Sequence, residues 1–315
     1  MKTLFFALAL VWGTAFADYP ERPVHLVVPF APGGGTDLTS RLISQHLSES
    51  LGKPVVVENR AGGAGNMGTE LVAHAPADGH TLVLASLSTA VNVSLFKKLP
   101  FNPLTDFAPV SLVVTVPLLV VVHPSLPVNS IQELIQLAKA KPGQLNYASG
   151  GLGTANHVGA ELFNTMANVQ IVHVPYKGGG PALADVAGGH VPLFFGTMTS
   201  TRDLVKSGRL RALATTTAGR SPSWPELPTV AESGVPGFEV SAWFGVLAPA
   251  GTPRPIIDRL SGELIRMVRN REVRDGLLAQ GSDPVGSTPE EFARHLRKEI
   301  DKWAKVVQAS GLHAD

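Results

Sequence analysis

The sequence predicts an α/β fold of two lobes with a cleft between them. Short Val/Leu-rich runs alternate with helical stretches, stop at a long apolar run, and then begin again. Three glycine clusters each fall between a predicted strand and a predicted helix, and the C-terminal third turns helical. Open α/β sheets bind ligands outside the carboxyl ends of their strands, which is where these clusters lie.

From Val24 onward, His25–Phe30, Val55–Glu58 and His80–Ser86 read as parallel strands buried on both faces. Between them Leu38, Leu42, Leu47 and Leu51 fall roughly on one helical face after Asp37, and Glu70–Ala75 sits in a second helix. The apolar run Val110–Val122, interrupted by Ser111, Thr115 and Pro117, has the length of a core element and not of a membrane span. Beyond it a helix runs from its N-cap Ser130 through Ala140 and stops at Lys141, Pro142 and Gly143. A strand at Leu145–Ala148, a helix at Thr154–Met166, a strand at Ile171–Val174 and a helix at Pro181–Val186 follow. Strands at Val191–Phe195 and Leu210–Thr215 complete this second unit. A strand at Val240–Leu247 then leads to helices at Pro255–Arg269 and Pro289–Gln308, the last with Thr288 as N-cap, Pro289 at its first position and Glu291 reaching back. The simplest arrangement returns the tail to the first lobe. Residues 18–118 plus 242–315 then form one lobe and 119–241 the other, with crossings near Val116–Val120 and Glu239–Phe244.

The chain has 315 residues, and Lys plus Arg total 26 against 25 Asp plus Glu. Only 16% of residues are charged, where roughly 25% is usual. No nucleic-acid partner is expected, because no excess of cations is available to neutralise phosphates. The N-terminus follows a secretory plan: Lys2, an apolar stretch Leu4–Trp12, then Ala15, Phe16 and Ala17 as a cleavage signal. Residues 1–17 are therefore expected to be removed on export. The mature chain would hold 25 bases and 25 acids, since Lys2 is the one charged residue lost. With no cysteine, thiol nucleophiles and Cys-ligated zinc are excluded.

The glycine clusters are Gly33-Gly34-Gly35 before Thr36 and Asp37, Gly150-Gly151 with Gly153 before Thr154, and Gly178-Gly179-Gly180 after Lys177. Glycine allows a sharp turn and lets a ligand approach the free N–H groups of a helix N-terminus, where the helix dipole favours an anion. An anion site between two lobes is the reading they support. A fourth run, Gly63-Ala64-Gly65-Asn66-Met67-Gly68, matches a dinucleotide fingerprint by letter, but no acid lies between Asp78 and Asp106 to hold a ribose. No cofactor is expected. No nucleophile elbow, phosphate loop or close His/carboxylate cluster is present, so neither catalysis nor a metal is expected. Several single residues keep two readings. His157 either faces a ligand or makes a helix-side hydrogen bond. Asp37 caps its helix or orients the glycine loop. Lys177 meets the anion or is a solvated surface residue. Trp243 covers the cleft or lies in the core.

Six segments together resemble a known family: Tyr19–Val24 (YPERPV), Val28–Asp37 (VPFAPGGGTD), Val57–Arg60 (VENR), Ala77–Thr81 (ADGHT), Ala148–Thr154 (ASGGLGT) with His157, and Val174–Gly178 (VPYKG) through Asp185. In this order they look like the substrate-binding proteins of tripartite tricarboxylate transporters, the Bug or TctC-like family. The resemblance implies a periplasmic binding protein of the Venus-flytrap, type II-like kind, a monomer that delivers a small carboxylate to membrane permease subunits. It implies that backbone amides and waters hold the carboxylate, with Gly33–Asp37, Ser86, Ser149, Gly150, Gly153, Thr154, Tyr176, Lys177 and Gly178 around it. Amino-acid-binding members resemble one another in an Asp after the strand equivalent to Val191–Phe195. Here Gly196 and Thr197 stand there, so a ligand without an α-amino group is expected. A sensor or adaptor role, or a periplasmic enzyme, are the alternatives.

Overall fold

The structure, a computed structural model, describes residues 19–314. The expected signal segment lies outside the described residues. The first unit runs β1 (Val24–Val28), α1 (Gly35–Leu51), β2 (Val55–Asn59), α2 (Asn66–Ala73), β3 (Thr81–Ser86) and α3 (Leu87–Leu95). A 16-residue strand, β4 (Phe107–Val122), leads out of it. The second unit is α4 (Ile131–Ala140), β5 (Asn146–Ser149), α5 (Ala155–Ala167), β6 (Val172–Pro175), α6 (Gly179–Ala187), β7 (Leu193–Thr197), α7 (Met198–Lys206) and β8 (Arg211–Thr215). The chain returns through β9 (Ser241–Pro249), α8 (Arg254–Arg269), α9 (Arg271–Ala279), β10 (Asp283–Pro284) and α10 (Pro289–Ser310).

The strand order is β2-β1-β3-β9-β4-β7-β5-β6, with β8 and β10 also pairing β4. Strands β2, β1 and β3 are parallel, as are β7, β5 and β6. The antiparallel β4 joins the two sets. Its residues Phe107–Pro117 pair with β9, and Leu118–Val122 pair with β7 and β8. The change of partner falls at Pro117, which has no N–H to give to a ladder. The apolar run read as one core element is thus a single strand serving both lobes, and Val/Leu side chains suit it because nearly all of it is buried. β10 pairs β4 at Val114 and Thr115, and α10 packs mainly on α3 and β4, with smaller contacts to α8 and α5.

Two sequence expectations change. Leu38 is 41% exposed while Ile43 and Leu47 are fully buried, so the core stripe of α1 is centred one residue pair away from the expected leucines. Val56 is 41% exposed because β2 is an edge strand, covered on fewer sides than a central one. The capping signals hold. The Ser130 hydroxyl accepts from the Glu133 amide at 3.1 Å. Thr288 and Glu291 exchange side-chain and backbone hydrogen bonds at 2.9 and 3.2 Å. Among the described residues no helix is long and apolar enough to cross a membrane.

Candidate functional site

Five helices begin on one cavity. Gly35 and Thr36 open α1, Ser86 and Leu87 open α3, Thr154, Ala155 and Asn156 open α5, Gly179 opens α6, and Thr197 and Ser200 belong to the start of α7. All of them line a cavity of about 40 Å³, completed by Phe30, Gly150, Phe194, Ala242 and Phe244. No charged side chain lines it. The first N–H groups of each helix have no intrahelical partner, and each N-terminus carries the positive end of its dipole. Five such ends around a space without a charged side chain form a site for an anion. The volume suits a carboxylate group and a few atoms, since one water needs about 10–15 Å³ on this measure. A second cavity of about 260 Å³ adjoins it, sharing Phe30 and Gly150 and bordered by Phe96, Leu152, Pro175, Tyr176 and Lys177.

The glycine loops touch one another across the cleft. The Ala31 amide donates to the Lys177 carbonyl at 2.9 Å. A Cβ on Gly34 would lie 3.2 Å from the amide nitrogens of Gly179 and Gly180, and within the second unit one on Gly150 would lie 3.0 Å from that of Gly179. Gly178, at φ +147°, faces Ala31, where a Cβ would come within 2.8 Å of its nitrogen. Gly153 sits against Asn92 of α3, with 2.1 Å between a Cβ and that amide oxygen. These glycines therefore do more than bare the helix N-termini. They let two backbones meet when the lobes are together.

Other predicted residues stand behind the cavity wall and brace it. Asp37 is buried and accepts from the Gly33 amide at 3.0 Å, from Arg41 Nε at 3.0 Å and from Asn59 Nδ2 at 3.1 Å. Burial pushes its pKa up, but the hydrogen bonds from Arg41, Gly33 and Asn59 outweigh it and hold the carboxyl below its ordinary value. The N-cap of α1 is Gly34 and no side chain caps it, so the capping reading of Asp37 does not hold. Asp37, in the first turn, orients the glycine loop through the Gly33 amide without lining the cavity. Ser149 Oγ lies 2.5 Å from His173 Nε2 and accepts from the Gly151 amide at 3.0 Å. His157 takes the Gly153 amide on Nδ1 at 3.3 Å, and its ring centroid is 4.3 Å from that of His173. Burial, with His173 adding to it, pulls His157 down to about 3. Burial alone pulls His173 down to about 4. Both rings are neutral at ordinary pH, which keeps a positive pair from forming under the second glycine loop. Tyr147 stacks on His173 and donates to Glu161.

Of the predicted residues, Gly35, Thr36, Ser86, Gly150, Thr154 and Thr197 line the inner cavity, and Tyr176 and Lys177 border the outer one. Tyr176 donates to Asp185 at 2.6 Å, and burial followed by this bond pushes its hydroxyl up to about 12. Gly33, Gly34, Asp37, Ser149, Gly153, His157 and Gly178 support the wall. Trp243 is displaced altogether. It is 2% exposed in the core, donates to Glu299 at 3.2 Å and packs on Phe292 and His295. Successive strand residues face opposite ways, so its neighbours Ala242 and Phe244 meet the cleft instead. Asn156, which donates to the Phe195 carbonyl at 2.6 Å, Ser200 and Phe30 were not read from the sequence. Asn156 had a signal available, two residues past the N-cap Thr154. Gly63–Gly65 forms a single 3₁₀ turn into α2, and with Gly62 it borders the outer cavity. Among the described residues no group of three or more His, Asp or Glu could hold a metal.

Residues 39–312 match the model of the tripartite tricarboxylate transporter family receptor. The chain belongs to this receptor family. The receptor is 42% identical over 311 residues to Protein BugT of Bordetella pertussis strain Tohama I, covering 98% of this chain and 95% of that one. It is 41% identical over 298 residues to a protein of Pseudomonas sp. strain P51 encoded between tcbD and tcbE, covering 94% and 89% of the two chains. Rpa4515 of R. palustris, solved with adipate, superposes with a TM-score of 0.92 at 41% identity over 94% of this chain and 99% of that one. MatC of Rhodopseudomonas palustris, solved with bound malate, gives 0.88 at 34% identity over 92% and 100%. The receptor's α/β architecture is that of these two-lobed periplasmic binding proteins.

Proposed function

We propose that this receptor captures a small organic carboxylate without an α-amino group in the closed cleft and delivers it to the permease subunits of a tripartite tricarboxylate-type transporter. The convergence of five helix N-termini on a cavity without a charged side chain carries the reading. Oriented backbone dipoles favour an anion, and with no acid in the lining an ammonium group has no partner. Adipate and malate in related structures support the carboxylate class. The chain works as an exported monomer cleaved after Ala17, with lobes of 18–118 plus 242–315 and 119–241, and it releases its ligand unchanged.

Closure joins binding to delivery. Ligand bound at helix starts from both lobes favours the state in which the glycine loops meet, and a permease can distinguish that shape from the open one. Mass spectrometry of the gently purified protein should reveal a retained acid, and a thermal-shift panel of mono- and dicarboxylates should identify its relatives. Ligand at 100 times its Kd stabilises the folded chain by about 2.7 kcal/mol, a shift of several degrees. Tight aspartate or glutamate binding by calorimetry would overturn the amino-group part, and no shift with any small carboxylate would overturn the whole.

A further inference from the structure

Helix α10 divides its charges between two tasks. Three of its four acids are turned to folding: Glu290 accepts from Arg254 at 2.7 Å, Glu291 caps the Thr288 amide at 2.9 Å, and Glu299 accepts from the indoles of Trp243 and Trp303 at 3.2 and 3.1 Å. Its cations Arg294, Arg297, Lys298, Lys302 and Lys305 are all exposed, and none of the five makes an ion pair among the described residues. Of them Lys302 alone rests on a ring, 5.4 Å from the centroid of Trp303. Eight arginines elsewhere do make ion pairs. Exposed cations such as Lys53, Lys141 and Arg274 do not, but none of these three shares a helix face with four others. The five cations follow helical spacing, so they form one stripe about 16 Å long at 1.5 Å per residue. Asp301 is the one acid within it. Phe292, Leu296, Trp303 and Val307 bury the opposite face, which fixes the stripe toward solvent.

With bases and acids almost equal over the whole chain, this is a local patch and not part of a general positive field. It offers no aromatic anchor and no deep pocket of the kind that dominates protein–protein contacts. Long solvated cations in a row on a convex helix suit a diffuse, laterally mobile polyanion. We propose that the α10 stripe docks this protein on a bilayer surface rich in anionic phospholipid, a contact separate from ligand capture. Held there, the receptor would search for its membrane partner along a surface.

The test is flotation of the mature chain, from Asp18 onward, with vesicles of phosphatidylcholine alone or with about 30% phosphatidylglycerol, at low and high salt. Co-flotation is expected only with phosphatidylglycerol at low salt. The combined Arg297→Gln, Lys298→Gln and Lys305→Gln variant should lose about a hundredfold in partition, at about fivefold per cation. Its circular dichroism and melting should match the parent, because all three side chains are exposed. Arg294→Lys with Arg297→Lys should keep vesicle binding, as a diffuse charge contact does not need the guanidinium fork. Equal flotation with both vesicle types, or unchanged binding by the glutamine variant, would overturn the proposal. So would retention on a polyglutamate surface without binding to phosphatidylglycerol, which would assign the stripe to an acidic protein.

Discussion

A Cβ placed on Gly180 would sit 1.9 Å from the carbonyl oxygen of Pro32. The two residues belong to opposite lobes, and beside them the Ala31 amide bonds the Lys177 carbonyl at 2.9 Å. Closure therefore brings backbone onto backbone, with no side chain between.

Gly180→Ala should weaken carboxylate binding at least tenfold, because the added methyl holds the loops apart. The unliganded protein should melt no lower than the parent, since alanine exceeds glycine in helix preference by up to about 1 kcal/mol. Gly34→Val should act alike, its side chain meeting the Gly179 and Gly180 amides. Calorimetry paired with apo melting checks both, and normal affinity in either variant would remove the closure role.

Thr197 lines the cavity, and its hydroxyl lies 2.8 Å from that of Ser200. Thr197→Asp puts a carboxylate among five helix starts that otherwise receive the ligand's own. Binding of a simple dicarboxylate should fall at least tenfold, while aspartate or glutamate should gain, since the new acid supplies the missing partner for an ammonium. A thermal-shift panel of matched acids with and without an amino group reads the ratio.

Asp37 is the hub of the first glycine loop. Asp37→Ala should cost about 1–2 kcal/mol, lowering the melting temperature by a few degrees, because it removes the acceptor shared by Gly33, Arg41 and Asn59, although Asn59 keeps its bond to the Phe30 carbonyl. Arg41 is exposed and regains water, which limits the loss. Ligand affinity should fall as well, as the loop loses its shape. Asp37→Asn keeps an acceptor and should recover part of both losses.

His157 and His173 set a pH dependence. Burial holds them at about 3 and about 4 in the folded chain, against 6.5 when unfolded. Below 6.5 the unfolded chain binds protons that the folded chain refuses, so stability falls as pH drops from there toward about 4. Above that window their contribution is constant. Urea midpoints should be lower at about pH 5 than at about pH 7.5, and His157→Gln with His173→Gln should flatten the difference. A slope unchanged in that double variant would assign the effect to other groups.

Much of this was legible in the residues. Apolar runs of strand length, glycine clusters at their ends and the capping signals of α4 and α10 lead to an α/β chain with helix N-termini at one edge. Two of the five helix starts left no such trace. α3 follows β3 without a turn, and because Leu87–Asn92 are all buried it has no polar face to create a period. α7 follows β7 equally directly, and the single Gly196 before its N-cap Thr197 lies inside the strand and opens no loop.

The rest is a matter of neighbours. Alternation along β9 puts Trp243 opposite Ala242 and Phe244, but pairing of β9 with β3 and β4 decides which face looks into the cleft. His173 reaches Ser149 only because β5 and β6 lie side by side, with Tyr147 opposite it. Local propensity and periodicity act over a few residues, so they can establish strands, helix starts and the glycines between them. Whether a glycine bares an amide to a ligand or admits another backbone depends on residues more than a hundred positions away, as Pro32 and Gly180 are, and only the folded sheet brings these together.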